Sequence, residues 1–171
     1  MIPLENIKIS LVDIITHGRS ECIYSHCSIL EETNLNEIAE FTYQNPDNGW
    51  RYLGYLNHEF YLNDKKELEA IGLDFPTDAV EFNSLFAEIR MREDLNYSSF
   101  KLKMEKLGIH WDKLIDDIDE YFGTSESGYY TIRTDENGYK AMLTLGVDNI
   151  TDEIYKISVG FYDQESSPVI S

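Results

Sequence analysis

Hydrophobic and polar positions alternate most clearly in the last third of the chain. Asn137-Gly138 marks a two-residue turn of the type that needs positive φ at both positions. That turn sets Glu136 opposite Tyr139, Asp135 opposite Lys140, Arg133 opposite Met142, Ile132 opposite Leu143 and Tyr130 opposite Leu145. One face then carries Tyr130, Ile132, Ala141, Leu143 and Leu145, and the other Thr131, Arg133, Asp135, Lys140 and Thr144. A third strand is predicted over 154–162, where Tyr155, Ile157, Val159 and Phe161 alternate with Lys156, Ser158 and Gly160. The three strands form an antiparallel meander with one buried face. Residues 164–171 read as a frayed tail.

The middle of the chain switches to helical spacing. Asp78 with Glu81 suits a capping box ahead of Ala79, Phe82, Leu85, Phe86 and Ile89. Ser98 or Ser99 starts a second helix through Phe100, Met104 and Leu107, stopped by Gly108. A third runs from about Trp111 to Phe122, with Trp111, Leu114, Ile115, Ile118, Tyr121 and Phe122 as its apolar stripe and Gly123 as its stop. Nearer the N-terminus, residues 21–30 read as a strand, with Ile23, Cys27 and Ile29 on one parity. Asn34 and Glu37 resemble a capping box for a helix through Leu35, Ile38, Ala39 and Phe41. The aromatic run from Trp50 to Leu62 reads as strand, or as a hairpin. Residues 4–17 fit either a helix ending at Gly18 or a strand, and the strand is favoured. The expected fold is α+β: one domain over 1–171, its antiparallel sheet including the C-terminal meander and packed against three or four helices.

Charge narrows the functional classes. Fourteen Lys and Arg face 32 Asp and Glu, for a net charge of −18, while hydrophobic residues make up 42% of the 171. Such a chain is globular in composition but repels phosphate backbones and anionic membranes, and favours a cationic partner. Solubility alone also selects for acidic surfaces. No secretion signal or membrane span is legible, and Cys22 and Cys27 are too few for a disulfide framework. A cytoplasmic protein is expected.

Candidate chemistry is sparse. His17, Cys22, His26 and Cys27 lack the paired spacing of a zinc site, so no metal and no cofactor is expected. Asp135-Glu136-Asn137-Gly138 carries its glycine at the wrong position for an EF-hand, and Asp116, Asp117 and Asp119 lack the closing Glu. Gly123 to Gly128 spans a glycine pair, but Tyr129 stands where a phosphate loop needs Lys. His58-Glu59 and His110-Trp111-Asp112 remain the groups from which a dispersed hydrolytic site would be built.

The polar face of the third predicted helix is more informative. Asp112, Asp116, Asp117, Asp119 and Glu120 crowd it, relieved only by Lys113. Like charges at i,i+4 oppose helix formation, as do carboxylates near the C-terminal end of the dipole. A surface that departs from local stability in one direction is expected to serve recognition. Tyr129 follows closely, and tyrosine is well suited to protein interfaces.

In size, acidic and aromatic-rich character and lack of catalytic motifs, the chain resembles bacterial toxin-immunity proteins of the contact-dependent growth inhibition type. That resemblance implies a cytoplasmic antidote, not an enzyme. It would bind a basic toxin domain, a nuclease with RNase ahead of DNase, and occlude it through complementary charge. The residues expected to bind the toxin are Asp112, Asp116, Asp117, Asp119, Glu120 and Tyr129. An acidic adaptor that binds a basic partner without inhibiting it is the alternative, with a hydrolase of dispersed site behind it.

Overall fold

A computed structural model describes residues 1–75, 81–111, 127–131, 138–148 and 150–161. The expected α+β class holds. Seven antiparallel strands form one sheet, ordered β3-β4-β5-β6-β9-β8-β7: β3 Phe41–Gln44, β4 Arg51–Tyr55, β5 His58–Leu62, β6 Leu68–Asp74, β7 Ser127–Thr131, β8 Ala141–Asp148 and β9 Glu153–Phe161. Two meanders, β3 to β6 and β7 to β9, are thus joined edge to edge where β6 pairs with β9. A separate two-stranded ribbon, β1 Arg19–Ser20 and β2 Ile23–Tyr24, precedes them.

Alternation gives the sheet an inner and an outer face. Leu53, Phe60, Ile71, Val159 and Leu143 lie in register across five neighbouring strands and are all buried. His58, Leu73, Ile157 and Leu145 form the next inner row. Four short helices join the core among the described residues: α1 Leu11–His17, α2 Ile29–Glu32, α3 Leu35–Ile38 and α4 Tyr97–Lys106. Lys140 N–H donates to Ile15 O at 2.7 Å and ties α1 to the start of β8.

The predicted C-terminal register is observed where it is described. Tyr130 pairs with Leu145 and Thr131 with Thr144, while Gly138 has φ of 73°. Residues 132–137 of that hairpin lie outside the described residues. In β9, Ile157, Val159 and Phe161 are buried as expected, but Tyr155 is not on the inner face. A bulge sets Gly146 opposite Lys156 and Val147 opposite Ile154, so Ile154 takes the buried position. The tail 164–171 lies outside the described residues.

Four N-terminal and central expectations need correction. The favoured strand over 4–17 is instead a helix from Leu11, because Ser10 Oγ accepts from Asp13 N–H and Gly18 closes the helix in the left-handed region. Residues 21–30 do not form one strand: Glu21 and His26 have positive φ, which breaks the extended run, although Ile23, Cys27 and Ile29 are buried. The helix over 34–41 shrinks to α3. Asn34 Oδ1 accepts from Leu4 N–H instead of capping, and Phe41 starts β3. Residues 81–89 are not helical. Ile9 N–H donates to Leu85 O, Ala87 N–H to Ile9 O and Leu85 N–H to His58 Nε2, so tertiary partners take the backbone groups a helix would use. Asp78 and Ala79 of that prediction lie outside the described residues. The second predicted helix is α4, but its cap is Asn96, whose side chain accepts from Ser99 N–H, in place of Ser98 or Ser99; Phe100 and Met104 are buried, Leu107 is exposed, and Gly108 has φ of 92°.

Candidate partner-binding surface

Strand β3 is one edge of the sheet, and every residue from Phe41 to Gln44 is exposed. Its outer-face residues are Phe41 and Tyr43, which pair with Gly54 and Tyr52 of β4. The Phe41 ring lies directly over Gly54, occupying the space any larger residue there would need. Tyr43 stacks on Tyr52 at 5.9 Å between centroids, and Tyr52 meets Tyr61 of β5 edge to face at 5.0 Å. The three tyrosines form a ladder across three strands, the packing that cross-strand aromatic pairs favour.

The loop before β4 is held by its own side chains. Asn45 Oδ1 accepts from Asp47 N–H, Asn48 Oδ1 accepts from Trp50 N–H, and Gly49 supplies a φ of 77°. Trp50 immediately precedes β4, and its carbonyl accepts from Asn45 N–H. Phe41 is 51% exposed, Tyr43 53% and Trp50 36%, so three of the nine large exposed hydrophobic side chains among the described residues gather at this edge. Large aromatics left in water together are a mark of an interaction surface.

Carboxylates accompany them. Glu37 and Glu40 precede β3, Asp47 lies in the loop, and Glu59 sits on β5 beside Tyr61, whose hydroxyl donates to it. Burial, reinforced by Glu59, raises the Tyr61 phenol above its ordinary range. One row further, Asp74 is raised by burial and by Glu59, against the opposing pull of Lys156 at 3.9 Å. Arg51 is the cation on β4, and it bonds back to Gln44.

No protein-family model, curated protein or solved structure matches the chain. Its site must be read from its own residues. The acidic positions Asp112, Asp116, Asp117, Asp119 and Glu120 all lie outside the described residues. Tyr129 is in β7 and pairs with Gly146, in the register row that continues through Lys156 to Asp74. Sequence reasoning placed the Trp50–Leu62 aromatics in strands but did not single out Phe41, Tyr43, Trp50, Tyr52 and Tyr61 as a surface. The uncharged alternation of Phe41 and Tyr43 between Glu40 and Asp47 was the available signal.

The dispersed hydrolytic set does not converge on His58 and Glu59. Those two occupy opposite faces of β5, with His58 buried inward. Both His58 nitrogens are engaged: Nδ1 donates to Leu56 O at 2.8 Å, and Nε2 accepts from Leu85 N–H at 3.0 Å. A cleft of about 330 Å³ opens between Phe75, Leu95, Asn96 and Ile154, and neither His58 nor His110 lines it. Cys22 and Cys27 are free thiols, and burial pushes Cys27 up to about 11. Among the described residues no three His, Cys, Asp or Glu side chains are grouped to hold a metal. No helix among them is long and apolar enough to cross a membrane.

Proposed function

We propose that this chain is a cytoplasmic antidote that binds a basic protein toxin, a nuclease domain above all, and blocks it by covering its cationic cleft. The observation that carries the reading is the cluster of exposed aromatics with carboxylates at the β3–β5 edge, in a chain of net charge −18. A nuclease must present Lys and Arg to hold phosphates, and an acidic protein can occupy the same groups. Aromatic side chains supply the desolvated anchors that set affinity, while charge sets the rate of encounter.

Co-expression with the open reading frame beside its gene tests this. An antidote restores growth to cells producing that protein and co-purifies with it in a complex that salt weakens. Binding without rescue would convert the reading to an adaptor. An uncharged or acidic co-purifying partner would remove it altogether.

A further inference from the structure

Resting on that reading, we infer that β3 is a receiving edge: an extended basic segment of the partner adds to the sheet as a further strand. The β3–β4 ladder identifies which main-chain groups would accept it. Asn45 N–H donates to Trp50 O at 2.8 Å, and Tyr43 pairs with Tyr52 and Phe41 with Gly54. In an antiparallel ladder hydrogen-bonded residues alternate, so Phe41, Tyr43 and Asn45 direct their N–H and C=O groups toward β4. Thr42 and Gln44 therefore direct theirs outward, along the free edge. Four groups, two donors and two acceptors, stand at the spacing of a strand pair.

Sheet edges are usually protected by lysine, proline, a covering segment or an inward charge. Phe-Thr-Tyr-Gln has no charge and no proline, and all four residues are exposed. The added segment would lie beside Phe41 and Tyr43, its alternate residues sharing their face. Glu37 and Glu40 precede β3, Asp47 follows it and Glu59 stands two strands in, against Arg51 on β4, so the side chains that fit there are Lys and Arg. The same charge opposes the competing occupant, a second copy of β3, because two chains of −18 repel one another.

The test uses the full chain and an array of octapeptides in which Lys or Arg alternates with Val or Thr. Matched peptides carry Glu in place of the cations. Binding is followed by Trp50 fluorescence and by amide hydrogen exchange. Basic peptides are expected to bind saturably and to slow exchange at Thr42 and Gln44 by about tenfold or more. Phe41 and Tyr43 should be protected with or without peptide. Thr42→Pro removes an outward donor that β4 does not use, so it should keep the fold and weaken binding by about tenfold or more relative to Thr42→Val.

Basic peptides that bind while Thr42 and Gln44 exchange freely would overturn strand addition and leave the antidote reading standing. Equal binding of acidic peptides would overturn the basic class and that reading with it. Absence of saturable binding by any basic peptide overturns the inference. So does protection that rises with protein concentration alone, which assigns the edge to a second copy.

Discussion

His58 makes the fold sensitive to mild acid, in a window set by its burial. Its Nδ1 proton goes to Leu56 O, with Tyr55 O at 3.2 Å, which leaves Nε2 as the acceptor for Leu85 N–H. A second proton on Nε2 would face that N–H donor to donor, inside the core. Burial accordingly lowers the imidazole from its ordinary value near 6.5 to about 4. The folded state thus refuses a proton that the unfolded chain accepts. Stability from this group is complete above pH 6.5, falls as pH drops from 6.5 to about 4, and is flat below that. The slope in the window is about 1.4 kcal/mol per pH unit, for a total of roughly 3 kcal/mol. Urea denaturation between pH 4.5 and 7.5, followed by tryptophan fluorescence, measures it. Titrating carboxylates add a background common to wild type and His58→Gln, so the difference between the two profiles isolates the histidine. The variant should be less stable at pH 7 by about 1–2 kcal/mol, draw level with wild type between about pH 5 and 6, and be the more stable of the two at pH 4.5. Parallel profiles would refute the assignment of Nε2 as an obligate acceptor.

Three further substitutions check individual supports. Glu88 is buried, and its carboxylate accepts from Leu11 N–H at 2.7 Å and Ser10 Oγ at 3.1 Å at the start of α1. Glu88→Ala should cost about 1–3 kcal/mol by urea denaturation, with Glu88→Gln recovering part of it. Gly54→Val places a side chain where the Phe41 ring lies. It should lower stability by about 1–3 kcal/mol and alter the near-ultraviolet circular dichroism of the tyrosine ladder. Gly138→Val meets no atom within 4 Å but must adopt φ of 73°. Thermal denaturation should show a loss of about 1–2 kcal/mol, and Gly138→Asn a smaller one.

How legible the fold was depended on which interactions set each segment. The β7–β8 register could be read because turn chemistry and alternation agreed, and Tyr130 opposite Leu145 is the observed pairing. The β4–β5 hairpin was only half legible. Its turn, Leu56-Asn57, puts both residues at positive φ without the glycine that announces such turns. Strand β6 was missed because it does not alternate. Ile71, Gly72 and Leu73 are consecutively buried in a central strand, and a register shift near Glu69 breaks its parity. Residues 82–89 show helical spacing, yet Ile9 and His58 capture their backbone, a long-range effect that no local pattern records. Burial is equally nonlocal. Tyr43 and Phe60 look alike in sequence, but one stands at the edge and the other in the core.

Under the proposed antidote function, the acidic and aromatic regions make separable contributions to recognition, and kinetics can divide them. Charge acts over roughly a Debye length, about 8 Å at physiological salt, so it speeds approach before contact. Aromatic anchors act only once water is expelled, and they govern escape. Replacing Asp112, Asp116, Asp117 and Asp119 by Asn removes four of the eighteen net negative charges. Measured against the co-purified partner by surface plasmon resonance, that variant should associate more slowly, by about tenfold at low salt, with a flatter salt dependence and an unchanged dissociation rate. Trp50→Ala and Tyr52→Ala should do the reverse, raising dissociation by about tenfold or more and leaving the salt slope alone. If the aromatic variants dissociate like wild type, the β3–β5 edge is not the contact surface. If the aspartate variant dissociates faster, its carboxylates touch the partner, and steering is the wrong description of what they do.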